Sequence, residues 1–327
     1  MGERDYEHAV RARFANRPAI DQPFSWNLGV REPIDPSVGT GYRDLIRLSG
    51  NIYMVMSDFC VRQDTVNRIR GEDLFKFNWQ ISGHSISQFS NRTKIELRGP
   101  TLAYLCQPAG IDEEERYVGG SWETSVTISV TRDLLLKTLN LDPADAPSAV
   151  RAYSDGVRPP FAVQWFALPP RLRATLQEIL KPPPLGSLYK LYLQARVYDL
   201  LWLTLNHLRS LETPAPSRIK LTARDRECIN EVRLLLERKM QNGTSMTELC
   251  RRFGINRNKM NYGFKLLFGT SPMNYLLMAR LDLARRRLCN TDRPIAVIAQ
   301  EIGYQQQSTF SSAFKRYFGM SPRDMRR

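Results

Sequence analysis

Between residues 50 and 130, short apolar runs and alternations are interrupted every few residues by glycine, proline or charge, the pattern of antiparallel strands. It predicts strands at Ile52–Val61, Leu74–Ile81, His84–Phe89, Lys94–Leu97, Thr101–Cys106 and Trp122–Val130, with Phe75, Phe77 and Trp79 alternating in the second. A small antiparallel barrel or sandwich accommodates such segments. Asp112-Glu113-Glu114-Glu115 reads as a solvated hairpin or loop. Residues 1–47, rich in Arg, Pro, Asp and Gly and without a sustained period, read as an N-terminal extension with partial order.

After Thr131 the pattern becomes helical, through Asp133–Leu139 and Arg171–Leu180, until Pro182-Pro183-Pro184 breaks it. A long helix is then predicted over Ser187–Leu211. Its apolar residues Leu188, Leu191, Ala195, Tyr198, Trp202 and Leu205 are spaced 3-4-3-4-3, a seam able to zip against a second copy of itself. Leu193, Val197, Leu201 and Leu208 make further sides apolar, so the helix can also pack on its own chain. A homodimer through 187–211 is one expectation. Thr213-Pro214-Ala215-Pro216-Ser217 reads as a stiff linker. The domains expected are therefore the extension 1–47, a domain at 48–212 (β-rich over 50–130, helical over 131–211), the linker 213–217 and a last domain at 218–327.

That last domain carries a duplication. Phe264-Lys265-Leu266-Leu267-Phe268-Gly269-Thr270-Ser271-Pro272 returns fifty residues later as Phe314-Lys315-Arg316-Tyr317-Phe318-Gly319-Met320-Ser321-Pro322, with six of nine positions identical. Each copy follows a short helical pattern, a glycine and a polar run, the layout of a helix-turn-helix written twice. Unit one is placed at 245–268, a linker helix at 271–289 and unit two at 294–318. An amphipathic helix over Thr222–Met240, N-capped by Thr222, precedes them. Ser245-Met246-Thr247-Glu248 is a capping box, Gly254 makes the turn, and Asn256 caps the next helix.

On that next helix Met260, Phe264, Leu267 and Phe268 share one side, while Asn258, Asn261, Tyr262 and Lys265 share the other. The apolar side belongs to the core, so the polar side, with Asn256 at its start, is offered to a DNA groove. Asparagine can pair with adenine N6 and N7, and lysine reaches guanine or phosphate. In the second copy Phe310, Phe314, Tyr317 and Phe318 form the buried stripe. Ser308, Ser311, Ser312 and Lys315 oppose it, with Gln306 and Gln307 at the helix entrance. Serines reach less far, so unit one should discriminate bases more sharply. The linker helix brings Arg280, Arg285, Arg286 and Arg287, some for phosphate and some for pairing within the domain.

Charge concentrates in the same third. Residues 218–327 hold 22 Lys and Arg against 9 Asp and Glu, a net +13, whereas residues 1–217 hold 25 against 24. Such an asymmetry is the electrostatic footprint of a phosphate-binding domain beside a nearly neutral one. No run of 18 apolar residues suits a bilayer and no apolar leader follows Met1. Five scattered cysteines fit a reducing compartment, and a cytoplasmic location is expected. His8, His84 and His207 form no metal-binding arrangement, and H-E-x-x-H, G-x-S-x-G and phosphate-loop motifs are absent. No catalytic residue, metal or cofactor is expected.

The segment Ser245–Leu288, followed by Pro294-Ile295-Ala296-Val297-Ile298-Ala299-Gln300-Glu301-Ile302-Gly303-Tyr304 and Phe310–Pro322, resembles the AraC/XylS family of bacterial transcriptional regulators. The resemblance implies an α+β chain in which a β-rich, cupin-like effector or dimerisation domain precedes an all-α domain of two helix-turn-helix units joined by a linker helix. It further implies double-stranded DNA, RNA polymerase and a small-molecule effector as partners. DNA contacts would fall at Asn258, Asn261, Tyr262 and Lys265, and at Gln307, Ser308, Ser311, Ser312 and Lys315. The serine-rich second helix departs from the family, where longer residues are common. Met260-Asn261-Tyr262-Gly263-Phe264-Lys265, with Tyr275-Leu276 and Arg280-Leu281, is similar to the subgroup that senses ferric siderophores. For an effector in the first domain, Tyr53, Phe75, Phe77, Trp79, Tyr104 and Trp122 are candidate pocket walls, though alternating aromatics in strands are more often core. Arg62, Arg68, Arg70, Arg92 and Arg98 are candidate partners of an anion. Neither set defines a site.

Overall fold

The computed structural model describes residues 29–48, 52–156, 160–181, 188–212, 221–238, 244–268, 270–318 and 321–326. The Pro182–Pro184 break, the 213–217 linker, Gly269 and Gly319 lie outside them, as do residues 1–28 of the expected extension. The chain divides into two compact units, 1–215 and 216–327.

The first unit is built on antiparallel strands. β1 (Gly29–Pro33), β2 (Gly39–Leu48), β3 (Ile52–Val61), β5 (Leu74–Ser82), β8 (Thr101–Gln107), β10 (Trp122–Val130) and β11 (Ala162–Ala167) form a seven-stranded sheet ordered β1-β2-β3-β10-β5-β8-β11. β4 (Thr65–Ile69), β6 (His84–Phe89), β7 (Lys94–Arg98) and β9 (Glu113–Tyr117) form a second sheet ordered β4-β9-β6-β7.

All six predicted strands are found, and five more join them. The extension expected to reach residue 47 ends as sheet instead, because β2 pairs with β3 from Gly39↔Val61 to Leu48↔Ile52. Its strand character is masked by charge. Asp44, fully buried, is gripped by Arg31 of β1 through two hydrogen bonds of 2.7 and 2.8 Å. The acidic run expected as a solvated loop is strand β9, with Glu113 buried. The segment read as helical after Thr131 is interrupted by β11, which pairs with β8.

Short helical turns at Leu134–Thr138 and Pro143–Asp145 and α1 (Ser148–Asp155) precede β11, and α2 (Pro170–Leu180) and α3 (Tyr189–Glu212) follow it. They cover one face of the large sheet. Phe75, Phe77, Trp79, Leu102, Val126 and Ile128 pack there with Leu172 and Leu176 of α2 and Leu193, Val197 and Leu200 of α3. Each such side chain contributes about 1.5–3 kcal/mol on burial. Trp79 Nε1 donates to Thr204 Oγ1 at 2.9 Å, which satisfies the indole where water cannot reach it. The opposite side of α3 keeps Leu188, Leu191 and Trp202 at 60%, 68% and 60% exposure. The seam at 3-4 spacing is therefore divided: Leu188, Leu191 and Trp202 face outward, whereas Tyr198 and Leu205 are half-buried against the core of their own chain.

The second unit is helical: α4 (Ala223–Arg238), α5 (Met246–Phe253), α6 (Arg257–Phe268), α7 (Pro272–Asn290), α8 (Ile295–Glu301), α9 (Gln307–Phe318) and α10 (Pro322–Arg326). It has two cores. Ile229, Val232, Leu249, Met260, Phe264 and Leu276 make the first; Leu281, Leu288, Ile298, Phe310, Phe314 and Phe318 make the second. Helix α7, 19 residues and so about 28 Å long, gives Leu276 to one and Leu281 and Leu288 to the other.

Candidate nucleic-acid interface and ligand cavity

Helix α6 is set by its ends. Gly254 closes α5 at φ +63°, its N–H reaching the Cys250 carbonyl, a conformation that favours glycine. Two residues on, Asn256 Oδ1 accepts the Lys259 N–H at 2.8 Å and caps α6. That oxygen is committed to the cap, so of the Asn256 side chain the amide nitrogen is what remains for an outside partner. Lys259 reaches Asp225 of α4 at 2.7 Å. Asp225 also closes a reciprocal capping box with Thr222, and these partners, Lys259 first, hold its carboxyl at about 2. Gly263 lies against α4, where an added Cβ would meet Ile229 Cδ1 at 2.1 Å.

With Met260 and Phe264 buried, Asn258 and Lys265 are exposed and Asn261 and Tyr262 half-exposed along one arc. Arg257, which the sequence reading did not select, is exposed at the start of the same helix. Its position one residue after the cap was the available signal.

Helix α9 repeats this geometry fifty residues on, running 307–318 where α6 runs 257–268. Phe310, Phe314 and Phe318 are buried. Gln306, Gln307, Ser308, Ser312 and Lys315 are exposed and Ser311 half-exposed, joined by exposed Arg316. The repeated Ser-Pro starts a helix in both copies: Ser271 Oγ accepts the Asn274 N–H at 3.4 Å and Ser321 Oγ the Asp324 N–H at 3.2 Å. The arginines of α7 divide. Arg285 is buried with its guanidinium 4.9 Å from the Phe318 ring centre, and Arg287 pairs with Glu301, so these two serve the fold. Glu301 also takes Arg293 at 2.6 Å.

In the first unit the two sheets line a partly open cavity of about 310 Å³. Its walls divide the candidate aromatics, most of which are core, as alternating aromatics in strands usually are. Phe75, Phe77 and Trp79 point to the helices, and the residues alternating with them, Lys76, Asn78 and Gln80, face the cavity. Strand β10 does the same with Glu123, Ser125, Thr127 and Ser129. Tyr53 and Tyr104 do border the cavity, as does Arg68 among the five arginines named. Trp122 instead donates to Asp58 at 2.5 Å, and Arg98 pairs with Glu96 at 2.9 Å.

The cavity groups are tied to one another. Gln80 Nε2 donates to Glu123 Oε2 at 2.8 Å, Thr101 donates to Gln80 Oε1 at 3.1 Å, and Asn78 donates to Thr127 at 2.9 Å. Lys76 Nζ donates to Gln107 at 2.9 Å. Burial pushes the Glu123 carboxyl up to about 7, against the hydrogen bonds from Gln80 and Ser125. Among the described residues no group of three or more His, Cys, Asp or Glu could hold a metal ion, and no helix is long and apolar enough to cross a membrane.

A cavity-bearing β domain followed by a duplicated helix-turn-helix domain defines a two-unit helix-turn-helix protein of α+β class. Residues 39–221, over half of the sequence, match the family described as Regulatory protein PchR N-terminal domain, and the chain belongs to that family. Residues 249–327 match the family described as Helix-turn-helix domain.

Among curated relatives, the chain is 36% identical over 87 residues to the probable transcriptional regulator LumQ of Photobacterium leiognathi, covering 27% of this chain and 35% of that protein. It is 35% identical over 92 residues to a putative AraC-like transcription regulator of Streptomyces antibioticus, covering 28% and 30%. With the HTH-type transcriptional activator RhaS of Yersinia pestis it shares 38% over 79 residues, covering 24% and 29%. The chain thus spans about a third of the length of the curated relatives it matches.

Proposed function

We propose that this protein is a sequence-specific, double-stranded-DNA-binding transcriptional regulator, an activator, controlled by a small molecule held between the sheets of its first unit. The observation that carries this reading is the duplication of an exposed polar arc on α6 and α9, each backed by a phenylalanine core, within a domain of net charge +13. Asn258, Asn261 and Tyr262 read one half-site, with Lys265 on its phosphate backbone. Gln307, Ser308, Ser311, Ser312 and Lys315 meet the second, while Asn256 and Gln306 touch backbone at the helix starts. The relatives matched over this segment carry the names of transcriptional regulators and, for RhaS, of an activator.

The effector belongs to the cavity, whose volume suits a compact ligand. The ferric-siderophore subgroup is supported by the PchR family match on this same unit. Association of two copies through the outward seam of α3, and contact with RNA polymerase, complete the proposal. The exposed Leu188, Leu191 and Trp202 support the first.

The reading is tested by selecting duplexes from a random library with the full-length protein. A motif of two half-sites about one helical turn apart is expected. Enrichment of no motif, or of a motif unchanged when both Asn261 and Gln307 become Ala, overturns it. A Trp202→Glu variant sedimenting at unchanged mass removes the dimer.

A further inference from the structure

The first turn of α6 carries two cations, Arg257 and Lys259, and no acid. A cation there opposes the positive end of the helix dipole, so each charge needs a partner beyond the helix. Lys259 has one in Asp225 of α4, 2.7 Å away. Arg257, exposed and the first residue of the helix, is engaged by no hydrogen bond or ion pair among the described residues. A local rule broken without a compensating contact inside the fold marks a group whose partner lies outside it. The register says where that partner is. At about 100° per residue, Arg257 stands one turn before Asn261 and about 40° from it, on the same polar arc. Helix α9 places Gln307 at this point, again exposed and the first residue of its helix.

We propose that Arg257 is a specificity-determining residue, its guanidinium donating to O6 and N7 of a guanine in the first half-site. This rests on the reading of α6 as a recognition helix and adds to it a guanine contact beside the base met by Asn261. Recognition helices touch base edges with their N-terminal residues, and the planar fork of arginine fits the two acceptors of guanine. The Asn256 cap, which accepts the Lys259 N–H at 2.8 Å, fixes the helix start from which Arg257 projects. Lys259 does not compete for the groove, because Asp225 holds it. Gln307, at the equivalent place in α9, matches adenine instead, so the two half-sites differ in the base wanted at this point.

The test selects duplexes from a random library with full-length wild type, Arg257→Gln, Arg257→Ala and Asn261→Ala. Both Arg257 variants should change one position of the motif, a guanine in the wild type, within the half-site that Asn261→Ala relaxes. Arg257→Gln should move that position to adenine, and Arg257→Ala should leave it without preference. In titrations, replacing this base pair should weaken the wild type at least about tenfold and Arg257→Ala less than about threefold. Unfolding midpoints of both variants should equal or exceed that of the wild type, since the fold gains nothing from this charge. A motif unchanged in both variants, with binding weakened alike on all sequences, assigns Arg257 to phosphate and overturns the proposal. A change confined to the other half-site, or lowered midpoints in both variants, overturns it too. Wild-type protein that enriches no motif defeats the regulator reading itself, whereas a wild-type motif indifferent to Arg257 defeats this assignment alone.

Discussion

The two helix-turn-helix copies differ in what they expose far more than in what they bury. Met260 and Phe264 of α6 answer to Phe310 and Phe314 of α9 at the same offset, all four buried. On the outer arcs, Asn258, Asn261 and Tyr262 answer to Ser308, Ser311 and Ser312, and only Lys265 and Lys315 agree. A core position must fit its neighbours to within a methylene, whereas an exposed one answers only to what it touches outside the fold. The duplicated scaffold is therefore one fold carrying two different polar arcs.

The largest effect should come from breaking the shared part. Phe264→Ala and Phe314→Ala should each cost about 3–5 kcal/mol in denaturant unfolding, and by similar amounts, because both rings are fully buried. A loss in one copy several-fold smaller than in the other would mean the cores are not equivalent. Next comes the part that differs. Asn261→Ala should cost about 1–3 kcal/mol on the selected site and relax one base position, while Ser311→Ala should cost less than 1 kcal/mol, measured by titration of labelled duplex. Equal losses would erase the asymmetry.

The common lysines give a smaller and even effect. Lys265→Ala and Lys315→Ala should each weaken all sequences alike and lower the salt slope of binding by about 1. Smallest is the anchor that only unit one possesses. Asp225, held at about 2 against an ordinary 3.8, contributes stability that is complete above about pH 4 and is lost as pH falls through 2. Asp225→Asn should flatten that acid limb of the pH–stability curve slightly, since the pair is partly open to solvent and so screened.

Much of the second unit was legible because its signals are local. Ser245, Gly254, Asn256 and Ser271 act within four residues of their own position, and the stripe of Met260, Phe264 and Phe268 needs only helical periodicity. The first unit was half legible. Strands carrying runs of apolar residues were read correctly, but β2 and β9 carry Asp44, Glu113 and Glu115 inward, where partners distant in sequence make charge tolerable. Nothing near Asp44 in the chain announces Arg31 beside it, thirteen residues away across a strand pair. The cavity was missed for the same reason. Lys76, Asn78 and Gln80 stood in plain view between the aromatics of β5, yet their shared face becomes an interior only once the second sheet closes over it.

Strand β5 is, in effect, a party wall one peptide thick. The backbone that presents Lys76, Asn78 and Gln80 to the cavity also holds Phe77 and Trp79 against the helices, and the Trp79 indole is bonded to Thr204 in the helix whose far side carries Trp202. Close-packed interiors have low compressibility, so what displaces one face of such a wall is felt on the other.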